Sequence, residues 1–164
     1  MSYSFFTPPG KARLWRRLGA AGLAMALCAV SALAQEVQVQ NAWARATVPG
    51  QKASGAFMRL VASRDLRLKA VSSPVAGIAQ VHAMTVENNI MKMQALPDGL
   101  ELPAGKAVEL KPGGYHLMLL DLKSQLTPDT TIALTLVFVD DKGVESRREL
   151  KLPVSTVAPM GTVQ

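Results

Sequence analysis

From Glu36 onward the chain alternates apolar and polar positions in short runs, and clusters of Pro, Gly, Asn and Asp separate the runs. A period of two marks strands that bury one face. Val37, Val39 and the region around Trp43 follow this pattern, residues 56–61 are apolar and strand-like, and residues 66–71 alternate again. Residues 81–86 and 90–96 are two strand-rich runs with Asn88-Asn89 between them. Asparagine tolerates positive φ, so this pair predicts a tight hairpin. Residues 107–110 lead into Lys111-Pro112-Gly113-Gly114, a turn. Residues 115–120, 131–139 and 147–152 follow, and Asp140-Asp141-Lys142-Gly143 predicts a second hairpin. About eight strands at this spacing predict an all-β fold, an antiparallel sandwich or barrel. Helical periodicity is absent from this region, and there is no internal repeat. A single domain over residues 35–154 with a flexible tail over 155–164 is the expected organisation.

The first 34 residues read differently. Lys11, Arg13, Arg16 and Arg17 precede an apolar run over residues 18–33, with no acid, and the run ends in Ala32-Leu33-Ala34. This is the order of a secretory signal peptide, with cleavage expected after Ala34 and export to the periplasm. A membrane anchor is the alternative, but the run is short for a span. Removing the segment takes four of eighteen basic residues and none of twelve acids, leaving 14 − 12 = +2. The basic character therefore belongs to the targeting segment. With no basic stripe and few aromatics, nucleic-acid binding is not expected.

Cys28 is the sole cysteine, and it lies in the apolar run. Leu27 precedes it where a lipid-anchored cysteine needs a small residue. The exported domain then has no thiol, which excludes disulfides, thiol exchange and a cysteine nucleophile. A soft metal site would have to use histidine and methionine.

That domain holds His82, His116 and six methionines: Met58, Met84, Met91, Met93, Met118 and Met160. If Asn88-Asn89 occupy the hairpin turn, Val86 pairs with Met91 and Met84 with Met93. His82, Met84, Met91 and Met93 then share one face, with His82 diagonal to Met93. A slip of one residue would break this arrangement. His116 and Met118 share a face two residues apart, with Leu117 and Leu119 turned the other way. Thioether sulfur and imidazole nitrogen are neutral, and together they suit Cu(I) better than Zn(II), Fe or Ca. A strand methionine is more often core filler, and Met58 is read that way; Met160 is incidental. Two His-x-Met pairs on separate strands raise the metal reading above that background.

His82, ten residues, Met93 and later His116-Leu117-Met118 resemble the signature of the periplasmic PCuAC copper chaperones. Met84 sits where that family often has a further methionine. Residues 110–119 are similar to the family consensus, and so is Trp43-Ala44-Arg45-Ala46. The spacing from Met93 to His116 is one residue longer than usual, an insertion expected in the Pro97-Asp98-Gly99 turn. The tail has no histidine for the second copper site of some members.

The resemblance implies a cupredoxin-like β fold and Cu(I) held by His82, Met93, His116 and Met118. Met84 and Met91 are open candidates beside them. It also implies delivery to the copper-bearing subunits of cytochrome c oxidase, with Sco-type thiol proteins as partners. Three rivals differ in chemistry. A blue-copper carrier needs a cysteine thiolate, which the exported domain lacks. An enzyme is not expected, because no serine–histidine–acid set, phosphate loop or acidic metal cluster stands out. A copper-independent β interaction domain would merely pack its His and Met residues.

Overall fold

The computed structural model describes residues 36–159 apart from 88 and 89. Ten strands run in chain order among them: β1 (Val37–Arg45), β2 (Ala53–Ala62), β3 (Leu66–Ser72), β4 (Ala76–Glu87), β5 (Ile90–Ala95), β6 (Leu100–Leu102), β7 (Ala107–Leu110), β8 (His116–Leu122), β9 (Thr131–Val139) and β10 (Glu145–Ser155). The expected all-β class holds. The expected signal segment, the Asn88-Asn89 turn and Met160 lie outside the described residues.

The strands are ordered β5-β4-β8-β2-β1-β10-β9-β3-β6, and β7 pairs with β2 off this path. One half is β5-β4-β8-β2-β1 and the other β10-β9-β3-β6. Inner side chains from both halves form one core, with Leu60, Leu117 and Leu119 from the first and Leu68, Leu134, Leu136 and Leu152 from the second. The alternation of β9 shows why the sequence folds so. Ile132, Leu134, Leu136 and Phe138 are buried, and between them Ala133 is exposed and Thr135 and Val137 are only partly buried. Such alternation can satisfy only one buried face.

Two features depart from the expected pattern. The halves are joined by a parallel pair, with Ala44 opposite Val154 and Arg45 opposite Ser155, so the sheet is not wholly antiparallel. A three-residue strand, β6, follows the Pro97-Asp98-Gly99 turn and pairs with β3. It has too few residues for a periodic signal.

A bulge in β1 decides which face Trp43 occupies. The register shifts between Gln40 and Trp43, and Asn41 has φ 51°. The extra residue reverses the alternation. Val37 faces the core before the bulge and Ala44 after it. Trp43 therefore turns to the outer face, opposite Phe57 of β2.

At the far end of the molecule Arg64 ties three segments together. It pairs with Glu36 and with Asp140, the latter at 2.7 Å. Asp140 also caps the β9–β10 turn, its Oδ1 accepting from the backbone N–H of Lys142 at 3.0 Å and Val144 at 2.8 Å.

Candidate metal centre

The β4–β5 hairpin has the register expected from sequence: Val86 opposite Met91, Thr85 opposite Lys92, Met84 opposite Met93 and His82 opposite Ala95. On its other side β4 pairs with β8, where His82 lies opposite His116 and Gln80 opposite Met118. Directly opposed residues share a face of the sheet. His82, Met84, Met91, Met93, His116 and Met118 therefore all lie on the outer face of three adjacent strands. Their neighbours Val81, Ala83, Leu117 and Leu119 fill the core on the inner face. Met58 is in the core, as expected for filler.

The histidines are close and differently held. Their ring centres are 5.8 Å apart and their planes are tilted by 50°. A first-row metal ion lies about 2 Å from an imidazole nitrogen, so two rings on one ion can have centres up to roughly 6 Å apart. His116 is buried, and its Nδ1 donates to the carbonyl of Gly114 at 3.0 Å. That bond leaves the Nε2 lone pair free, the usual device by which a backbone carbonyl orients a ligand histidine. His82 Nε2 donates to Gln80 Oε1 at 3.1 Å, which leaves the lone pair on Nδ1. His82 Nδ1 is buried and has no hydrogen-bond partner. A buried acceptor without a donor is costly, and an ion would satisfy it. Burial first, and then repulsion from His116, lower the His82 pKa from its ordinary value and favour the neutral imidazole.

Local structure explains how the strands are aligned here. In Lys111-Pro112-Gly113-Gly114, proline fixes the second position and Gly113 has φ 82°, the type II pattern. Gly114 N–H closes the turn on the Lys111 carbonyl at 3.1 Å. The Gly114 carbonyl then accepts from both His116 Nδ1 and the backbone N–H of Met84, the latter at 3.2 Å. One carbonyl thus fixes a histidine of β8 and the backbone of β4.

The other flank of the site is aromatic. Met118 lies opposite Gly55 of β2. The Phe57 ring lies across Gly55, so close that a Cβ there would stand 2.8 Å from the ring. Trp43 packs on Phe57 with centroids 4.8 Å apart, and Arg45 Cζ is 5.4 Å from the Phe57 centroid. Trp43 was legible as a motif residue, whereas Phe57 and Gly55 carried no sequence signal. Their place beside Met118 depends on the bulge and on a pairing across distant segments.

Exposure grades outward. Met118 and Met84 are half-buried, whereas Met93 is 49% and Met91 60% exposed. No group of three or more His, Cys, Asp or Glu side chains suited to a metal occurs among the described residues. The histidine pair is instead surrounded by neutral, soft donors, which fit a soft monovalent ion better than a hard divalent one.

Comparison with known proteins bears on the fold and the family. Residues 37–154 match the family described as LpqE-like lipoproteins. A protein of Leifsonia xyli subsp. xyli, named Putative lipoprotein Lxx21020, is 34% identical over 107 residues. That match covers 65% of this chain and 64% of the relative, so the chain spans just under two thirds of the relative's length. Among solved structures, the copper-bound PCuAC domain from PmoF2 superposes with a TM-score of 0.58 at 24% identity, covering 74% of this chain and 94% of that one. The Cu(I) form of DR1885 from Deinococcus radiodurans gives 0.56 at 25% identity, covering 80% of this chain and 85% of that one. The fold expected from the motif is thus the fold found, and the chain belongs to the LpqE-like lipoprotein family.

Proposed function

We propose that the domain is an extracytoplasmic copper chaperone that binds one Cu(I) through His82, His116, Met93 and Met118. The observation that carries this reading is the facing histidine pair, in which His82 Nδ1 is buried without a partner. Met93 is diagonal to His82 in the hairpin, and Met118 is diagonal to it across β4–β8. Both thioethers can therefore approach an ion held between the rings. The copper-bound neighbours in structure space support the same cargo.

Neutral ligands leave the charge of Cu(I) uncancelled, and thioethers bind more weakly than thiolates. The ion is held yet can pass to an acceptor with better ligands, which is transport rather than catalysis. We take the acceptors to be the copper-bearing subunits of cytochrome c oxidase, with Sco-type thiol proteins as partners. The lipoprotein relatives support a place in the cell envelope. Export by the N-terminal segment, cleaved after Ala34, is part of the same proposal.

The test is a Cu(I) titration against a competing chelator, repeated with His116→Ala and Met118→Ala. Weakened binding in both variants is expected. Unchanged affinity in both would overturn the ligand assignment, and no uptake by the unaltered protein would favour a copper-independent interaction domain.

A further inference from the structure

The four proposed ligands leave two methionines of the same face without a role, Met84 and Met91. They are not core filler. Met91 is 60% and Met93 49% exposed on β5, the edge strand of the sheet. Met84 is directly opposite Met93, and Met91 is two residues from Met93 and diagonal to Met84. Opposed Cβ atoms in such a pair are about 5 Å apart and diagonal ones about 7–8 Å. Methionine has three rotatable bonds beyond its backbone, enough for three sulfurs to converge over that triangle.

The surroundings are equally specific. The other side chains of this face on β4 and β5 include Ile78, Gln80, His82, Val86 and Ala95, none of them a carboxylate or a fixed cation. Thr85 and Lys92 pair on the opposite face. This face of the hairpin therefore offers three neutral soft donors, with no carboxylate beside them among the described residues. They form a row that begins in solvent at Met91 and ends beside the histidines.

We propose that Met84, Met91 and Met93 form a second, weaker thioether subsite for a soft monovalent cation, which takes Cu(I) at the hairpin and passes it to the histidine pair through the shared Met93. This rests on the copper reading above and deepens it. Ligand exchange alone moves the ion: each sulfur lone pair bound is replaced by another lone pair, and the metal keeps its charge and oxidation state.

The experiment uses Ag(I), a redox-inert soft cation, and protein labelled with carbon-13 at the methionine methyl groups. In His82→Ala/His116→Ala, which lacks the main site, Ag(I) should still shift the methyl signals of Met84, Met91 and Met93 together, with weak affinity. Adding Met91→Leu, an exposed position where folding is not at stake, should abolish the Met84 shift as well. Absence of shifts at Met84 and Met91, or a Met84 shift that persists unchanged after Met91→Leu, would overturn the subsite. Failure of the main reading looks different: the histidine substitutions would then leave the tightest metal binding intact.

Discussion

His82 and His116 are direct partners across the β4–β8 pair, with ring centres 5.8 Å apart. They are 34 positions apart in the chain, by 116 − 82. Strand pairing brings them together, and two different hydrogen bonds aim them. Gly114 accepts from His116 Nδ1 and so leaves the lone pair on Nε2, and Gln80 leaves the buried nitrogen of His82 unpaired. The pair is then flanked by methionines on the hairpin side and by Met118 on the aromatic side.

The turn that carries Gly114 should be sensitive to substitution. Gly113 has φ 82° and open space around its Cα, so a side chain there meets no clash, only backbone strain. Gly113→Val should destabilise the apo domain by about 1–2 kcal/mol. It should also weaken Cu(I) binding, because the Gly114 carbonyl orients His116. Urea unfolding and chelator competition measure the two effects separately.

Gly55→Ala should disturb the aromatic flank. The new methyl would stand 2.8 Å from the Phe57 ring, so the ring must shift. Trp43 packs on that ring, and its fluorescence should change accordingly. Met118 lies opposite Gly55, so Cu(I) affinity should fall as well. An unaltered tryptophan spectrum would contradict this account of the flank.

The core that backs the site should cost more. Leu119 is fully buried on the inner face of β8, between the outer positions Met118 and Leu120. Leu119→Ala removes buried methyl groups and leaves a cavity, a loss of about 2–5 kcal/mol. Chemical denaturation of the metal-free protein is the appropriate measurement.

Acid should weaken the opposite end of the molecule. Ser146 first, and then Arg64, lower the Glu36 pKa; the backbone N–H of Val144 first, with Arg64 and the N–H of Lys142, lowers that of Asp140. A carboxylate with a lowered folded pKa adds stability that is complete above its unfolded pKa. That stability is lost as pH falls through the folded value. The melting temperature of the apo protein should therefore be level above about pH 5 and fall progressively below about pH 4. Arg64→Met should flatten the decline. A melting temperature independent of pH over that range would count against the network.

Much of this was legible in the sequence, and the reason is physical. The hairpin register follows from a two-residue turn and a period of two, so the shared face of His82, Met84, Met91 and Met93 could be read from local spacing. The opposition of His82 to His116 could not, because it depends on which strands become neighbours. Spacing placed His116 and Met118 on one face of their own strand and went no further. The Trp43–Phe57 stack was hidden for a related reason. Simple alternation carries Trp43 to the side of Val37 and Val39, and the bulge at Asn41 reverses it. The parallel β1–β10 pair joins the two ends of the domain, where local pattern says nothing about partners.

X-ray absorption at the copper edge of the Cu(I)-loaded protein reports directly which atoms hold the ion. His82, His116, Met93 and Met118 predict a shell of two nitrogens and two sulfurs, with one sulfur lost in Met118→Leu. A shell without sulfur, or one that neither Met93→Leu nor Met118→Leu changes from that of the unaltered protein, would contradict the account.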